Sequence, residues 1–345
     1  MLPPEVVFDR LIRTELCEQS GCSGYLGKLD IDKVEPEPFR SFLHQFQALM
    51  NKALNDEGLD PSAGVGRLPF HFDYVDVSDG TTNAHAFLHE NQAFIVVTLP
   101  MIELLWQISY DLSMSPLILA ALHLPPETNR TDLWYVLVQL QLEFLVSHEY
   151  THHKHRHCFP GETRVVSLWT EFNLSGASGD ITSQAQELDA DGYGTFLVLR
   201  HFLQGEQRLT SLTLLRATTL SDTAANELLV TCYLLAAMAF FCAFWQGDPN
   251  LSALYRLSHP LPPVRIKYVI ESSEMFCRMN NLVESAWFEK KRLQIFFRTA
   301  AQLIGDETRQ RWDKQIAFLQ SLEGDRYNGQ LFVAFEAIRR IDHGP

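Results

Sequence analysis

Apolar residues recur every three or four positions in PEPFRSFLHQFQALMNKAL (36–54), where Phe39, Phe42, Leu43, Phe46, Leu49 and Met50 share one stripe. That period predicts an amphipathic helix. The Gly and Pro residues of NDEGLDPSAGVGRLP (55–69) break it into a loop. In HFDYVDV (71–77) the pattern changes to alternation, QAFIVVTL (92–99) is rich in β-branched and aromatic residues, and SDGTTN between them supplies turn chemistry. Two or three strands are predicted here. From Thr131 the helical period returns, in DLWYVLVQLQLEFLVSHEYTHH (132–153), then after a Gly- and Ser-containing loop near 175–180 in ITSQAQELDADGYGTFLVLRHFL (181–203). Further helices are predicted in the apolar segment 228–245 and near 282–305 and 308–322. The expected architecture is mainly α with one small sheet, an α+β fold. Residues 1–68 read as an appended N-terminal helical piece with a possible regulatory role, 69–280 as the core, and 281–345 as C-terminal helices packed on it.

The chain has 345 residues, 46% of them hydrophobic, enough to bury a full core. A formal charge of −14, a pI near 5.4 and no extended basic run argue against a nucleic-acid footprint or an anionic membrane surface. The N-terminus MLPPEVVFDRLIRTELCEQ lacks a basic segment followed by an apolar stretch and a cleavage site, so a cytoplasmic location is expected. Six cysteines (Cys17, Cys22, Cys158, Cys232, Cys242, Cys277) are scattered, which suggests reduced, mostly buried thiols rather than a disulfide framework. The segment LLVTCYLLAAMAFFCAFW (228–245) runs eighteen residues without a charge, near the lower limit of a membrane span. A central helix buried on all sides has the same composition, and it is the reading we adopt.

Chemistry concentrates in HEYTHHKHRH (148–157), with five histidines in ten positions. His148 and His152 are four apart on a predicted helix, so their imidazoles share a face and can share one cation, with Glu149 beside them in an HExxH pattern. A catalytic zinc site needs a third protein ligand and an open position for water. In QELDADGYG (186–194), Glu187 and Asp191 are again four apart on a predicted helix. Glu187 can complete a two-His, one-Glu set, and Asp191 can hydrogen-bond the free nitrogen of a ligating imidazole. His155, seven after His148, is the competing third ligand, while His153 and His157 read as solvated or hydrogen-bonding residues. Asp191 by itself would be an ordinary helix-surface carboxylate. Glu149, pointed at the open position, can take a proton from the water there and pass it to a leaving amine. A purely structural zinc would leave Glu149 without a role.

Four blocks then occur in order: TNAHAF (82–87) followed by QAFIVVTLPMIELL (92–105), HEYTHHKHRH (148–157), ELDAD (187–191) and SHPLPPVRI (258–266). Together they resemble the HtpX-like gluzincin metallopeptidases, the group that includes the mitochondrial Oma-type and CAAX prenyl-protein proteases. The resemblance implies a zincin-like domain with one zinc ion on His148, His152 and Glu187, Glu149 as general base and acid, and Asp191 and His157 supporting the ligands. It implies catalytic or substrate-positioning roles for Arg265 and His259; for Arg265 an ordinary ion pair is the alternative. The strand at Asn83, Ala84 and His85 would pair with an extended peptide substrate, with His85 and Phe87 lining it. Tyr150 and Thr151 depart from the small residues common inside the family's zinc motif. Many relatives carry membrane spans. A single crossing by 228–245 would put Arg265 and the zinc on opposite sides, so no membrane insertion is expected. A second similarity, to soluble HExxH phage-exclusion peptidases of bacteria, fits the size of the chain. The expected function is a regulated zinc endopeptidase acting on a protein or peptide substrate, with a regulatory partner; a zinc-binding module without turnover is the competing class.

Overall fold

The computed structural model describes residues 3–17, 22, 24–58, 68–89, 92–157, 180–243, 251–289, 293 and 305–343. The chain divides into two compact units, residues 1–104 with 149–173 and residues 105–148 with 174–345. This partition differs from a division at residues 68 and 280, because residues before 68 supply part of the first unit's sheet. Most of the expected loop at 175–180, most of 290–304 and Cys158 lie outside the described residues.

The first unit opens with α1 (Pro4–Leu11), which runs into a π-helical turn at Ile12–Leu16. Then come β1 (Tyr25–Lys28), α2 (Glu37–Glu57), β2 (Phe70–Val77), β3 (Ala84–His89) and β4 (Gln92–Thr98). The sheet order is β1-β2-β4-β3, with β2 and β4 parallel and the other pairs antiparallel. Four strands are therefore present where two or three were expected. Alternation in β2 sends Phe70, Phe72 and Tyr74 to one face, where Phe72 meets Phe46 of α2 edge-on at 6.0 Å and the Tyr74 hydroxyl donates to the Leu43 carbonyl. The other face carries Val75, Phe87, Phe94 and Val96, buried under Phe8, Leu11, Ile12 and Leu16.

Strand β1 covers only the end of β2. The rest of that edge is closed by two amides of α2: Asn51 exchanges two hydrogen bonds with the backbone of Phe72, both 2.8 Å, and Asn55 does the same at Phe70, at 3.0 and 3.2 Å. Each side chain acts as a surrogate strand residue, so the ladder is satisfied without a fifth strand. At the opposite edge, no strand among the described residues pairs with the outer side of β3.

The second unit is helical. It contains most of α3 (Leu99–Met114), then α4 (Pro116–Ala121), α5 (Arg130–Lys154), α6 (Ile181–Leu203), α7 (Gln207–Leu214), α8 (Asp222–Ala243), α9 (Pro262–Met279), α10 (Asp306–Leu319) and α11 (Leu322–His343). A 3-10 turn at Leu251–Arg256 precedes α9. Helix α6 starts where its sequence provides a cap, the Asp180 carboxylate accepting from the Ser183 N–H at 2.8 Å. Helix α8 is long and apolar enough to cross a membrane, and 94% of its most apolar stretch is buried inside the protein. Uniform burial explains why it has no polar face.

Candidate metal centre

His148, Glu149 and His152 lie on the one helix α5. Its 3.6-residue period sets His148 and His152 one above the other. On α6 the same spacing stacks Glu187 and Asp191, and the two helices approach closely because Gly194 has no side chain. A Cβ there would stand 3.1 Å from the His148 backbone nitrogen, tighter than ordinary contact. A glycine at this position is what lets α6 reach the histidine.

His148 is held from both ring nitrogens. Its Nδ1 lies 3.0 Å from Asp191 Oδ1 and its Nε2 lies 3.3 Å from Glu187 Oε2. A neutral imidazole donating from Nδ1 to Asp191 turns its Nε2 lone pair toward the Glu187 carboxylate, an acceptor against an acceptor. A cation between them resolves the conflict. Two bonds of about 2.1 Å in a tetrahedral site would separate such ligand atoms by roughly 3.4 Å, close to the observed spacing. The ligand atoms of His148, His152 and Glu187 all lie within 4.8 Å of one another, in buried positions, and form a set that can hold a metal ion. His155, the competing third ligand, is not in that set.

The supporting contacts follow from the same helices. His152 Nδ1 lies 3.0 Å from His157 Nδ1, which leaves His152 Nε2 for the metal. Asp191 is fully buried and accepts from Arg265 twice, at Nε and Nη2, both 2.8 Å. The guanidinium also stacks on Phe241 at 4.8 Å. Arg265 thus has the ion pair that was the alternative to a catalytic role, and the carboxylate it pairs with also contacts His148. His259 sits closer to the chemistry, its Nε2 3.3 Å from Glu187 Oε2 and its Nδ1 2.7 Å from the Ser258 hydroxyl. Glu149 is buried at the start of the turn that follows His148.

Tyr150, unexpected inside such a motif, is an anchor. It packs edge-on against Phe70 at 5.6 Å and its hydroxyl donates to the Gly58 carbonyl at 3.0 Å. His153 does not face solvent. It is buried, its Nε2 donates to the Phe94 carbonyl at 2.9 Å, and burial pulls its pKa down to about 4.

Asn83, Ala84 and His85 lie at the start of the edge strand β3, all buried. The Ala84 N–H donates to the Asn83 side-chain oxygen at 3.0 Å. The side chains of His85 and Phe87 do not line an open groove. His85 meets Cys22 at 3.8 Å and the Tyr25 ring at 5.7 Å, and Phe87 belongs to the core under α1. The two residues share a strand face, and the N-terminal segment covers that face. Burial raises the Cys22 thiol to about 12, and five cysteines are free among the described residues. The sequence pattern singles out neither Gln184 nor Tyr327, which carry no motif signal of their own.

The family model described as peptidase family M48 matches residues 51–272, well over half of the chain. No curated protein and no solved structure matches it.

Proposed function

The chain belongs to peptidase family M48, a metallopeptidase family, and from that membership we propose that it is a zinc-dependent endopeptidase of the cytoplasm that cuts a protein substrate. One observation carries the reading. His148 Nε2 and Glu187 Oε2 face each other at 3.3 Å with His152 beside them, a set that can hold a metal ion, and Glu149 follows His148 directly. Two imidazoles and one carboxylate are the donor set of a catalytic zinc site with one position open to water. When bound, zinc lowers the pKa of its water to about 7 and polarises a carbonyl.

The chain's own groups supply the rest. Asp191 holds the proton of His148 at Nδ1, fixing the tautomer, and Arg265 holds Asp191 with a two-pronged ion pair. His157 orients His152 in the same way. Glu149 takes a proton from the attacking water and delivers it to the leaving amine. His259, whose Nδ1 is engaged by Ser258, presents Nε2 toward the site, where a donor stabilises charge developing on the substrate oxygen. Strand β3 stands last in the sheet order, and an extended substrate adding to the sheet there would be held through its main chain whatever its sequence. The enzyme is restrained until a partner or signal releases it, because an unrestrained peptidase would damage its own cell.

The test compares new protein N-termini in cells making the wild type with those in cells making Glu149→Gln, alongside the zinc content of both purified proteins. New termini with the wild type alone, at equal zinc, support the reading and identify the substrate. Identical termini in both, at equal zinc, would leave either a peptidase whose releasing partner is missing or a zinc-binding module that performs no cleavage, and the search would move to partners.

A further inference from the structure

One turn before Glu187, helix α6 carries Gln184, whose side chain is fully buried. Two of its partners, Leu254 and Tyr327, belong to an apolar cluster with Ala185, Leu188, Leu261, Leu331 and Phe335, surroundings in which an unpaired amide would be costly. The amide is satisfied on three sides. Its nitrogen donates to the carbonyls of Leu254 at 2.8 Å and Leu257 at 2.9 Å, and its oxygen accepts from the Tyr327 hydroxyl at 2.6 Å. Tyr327 is itself fully buried on α11, packs edge-on against Tyr255 at 5.8 Å, and has a backbone hydrogen bond with Leu261.

These bonds converge on one short stretch. Leu254 and Leu257 precede Ser258 and His259, and Leu261 follows them, so both flanks of the His259 turn are tied to α6 and α11. Gln184 and Glu187 are three apart on one helix, so they move together. A rigid link from Gln184 to Leu257 therefore sets the distance from His259 to Glu187, which is 3.3 Å.

We propose that Gln184 and Tyr327 are positioning residues that hold the Leu257–Leu261 turn so that His259 meets Glu187. Helix α11 is then part of the support of the active site, although it lies beyond the residues matched by the family model. The effect on turnover rests on the peptidase reading above; the hold on the turn does not.

The experiment uses full-length protein and three variants. Tyr327→Phe removes one hydroxyl and keeps the ring. Gln184→Met keeps the approximate shape and removes the amide from the other side, and it decides the question if Tyr327→Phe does not fold. Leu331→Ala is the control, a buried change on the same helix that removes no hydrogen bond to the turn. Two quantities are read at a temperature where all are folded: hydrogen exchange of the backbone over 251–261, and kcat and KM on a peptide spanning a cleavage site found with the wild type. Both hydrogen-bond variants should speed exchange over 251–261 and lower kcat about tenfold with KM unchanged, as loss of groups that orient a metal site does, while Leu331→Ala keeps wild-type kcat. Unchanged exchange would overturn the proposal, and so would a kcat loss in Leu331→Ala equal to that of Tyr327→Phe. Faster exchange with wild-type kcat would overturn the link to catalysis. If the wild type cuts nothing, kcat is not read, and exchange alone decides whether the pair holds the turn.

Discussion

Asp191→Asn changes one atom's chemistry at the centre of the site. The carboxylate is fully buried and accepts three charge-assisted hydrogen bonds, from His148 Nδ1 at 3.0 Å and from Arg265 Nε and Nη2 at 2.8 Å each. An amide can accept through its oxygen only. In either orientation its NH2 faces a donor, and the buried guanidinium loses its charge partner. Removing one member of a buried pair costs about 3–5 kcal/mol. Glu187 Oε2, 3.8 Å from Arg265 Nη2, offers partial compensation and favours the low end, about 3 kcal/mol. The His148 imidazole loses its anchor at the same time, so zinc affinity should fall about 10–100-fold. Urea unfolding of the metal-free chain measures the first effect, and competition with a chromophoric chelator the second. The double variant Asp191→Leu with Arg265→Met separates them: removing both charges should recover much of the stability, while zinc binding stays weak because His148 remains unanchored. A single variant within about 0.5 kcal/mol of wild type that binds zinc equally well would refute the argument.

Three further outcomes follow from the geometry. Gly194→Ala should destabilise by about 1–3 kcal/mol and weaken zinc binding, since the new methyl stands 3.1 Å from the His148 nitrogen; unfolding and chelator competition measure both, and wild-type values would show that α5 and α6 can part freely. Tyr150→Phe should cost about 1 kcal/mol for its bond to Gly58. Tyr150→Ala should cost about 3–5 kcal/mol for the cavity against Phe70, and equal losses by thermal unfolding would mean that packing contributes nothing. His153 has its pKa pulled from 6.5 down to about 4 by burial, so below 6.5 the unfolded chain binds the extra proton. Its contribution is whole above pH 6.5 and lost as pH falls to about 4, roughly 3 kcal/mol in all. The metal-free wild type should lose that much more stability over this window than His153→Gln; parallel curves would count against it.

Much of the site is legible in the sequence because it depends on local periodicity. The helices expected at 36–54 and 132–153 are found at 37–57 and 130–154, and the one expected at 181–203 is found there. The pairs His148 with His152 and Glu187 with Asp191 follow from the 3.6-residue repeat alone. Strand β1, only four residues long, shows no alternation that sets it apart from a loop, and it exists because β2 offers it an edge. The resemblance implied that His85 and Phe87 line a substrate strand, whereas the face they share is covered by a segment some sixty residues earlier in the chain, with Cys22 against it. Composition likewise does not distinguish a membrane span from a core helix in α8; its surroundings do. Arg265, Gln184 and Tyr327 carry the same lesson. Which residues lie on one helical face is decided within a few neighbours, by backbone geometry. Which faces then meet, and so which acid receives the arginine and which turn receives the glutamine, is decided by contacts between residues far apart in the chain, where burial and hydrogen bonding select one pairing from many.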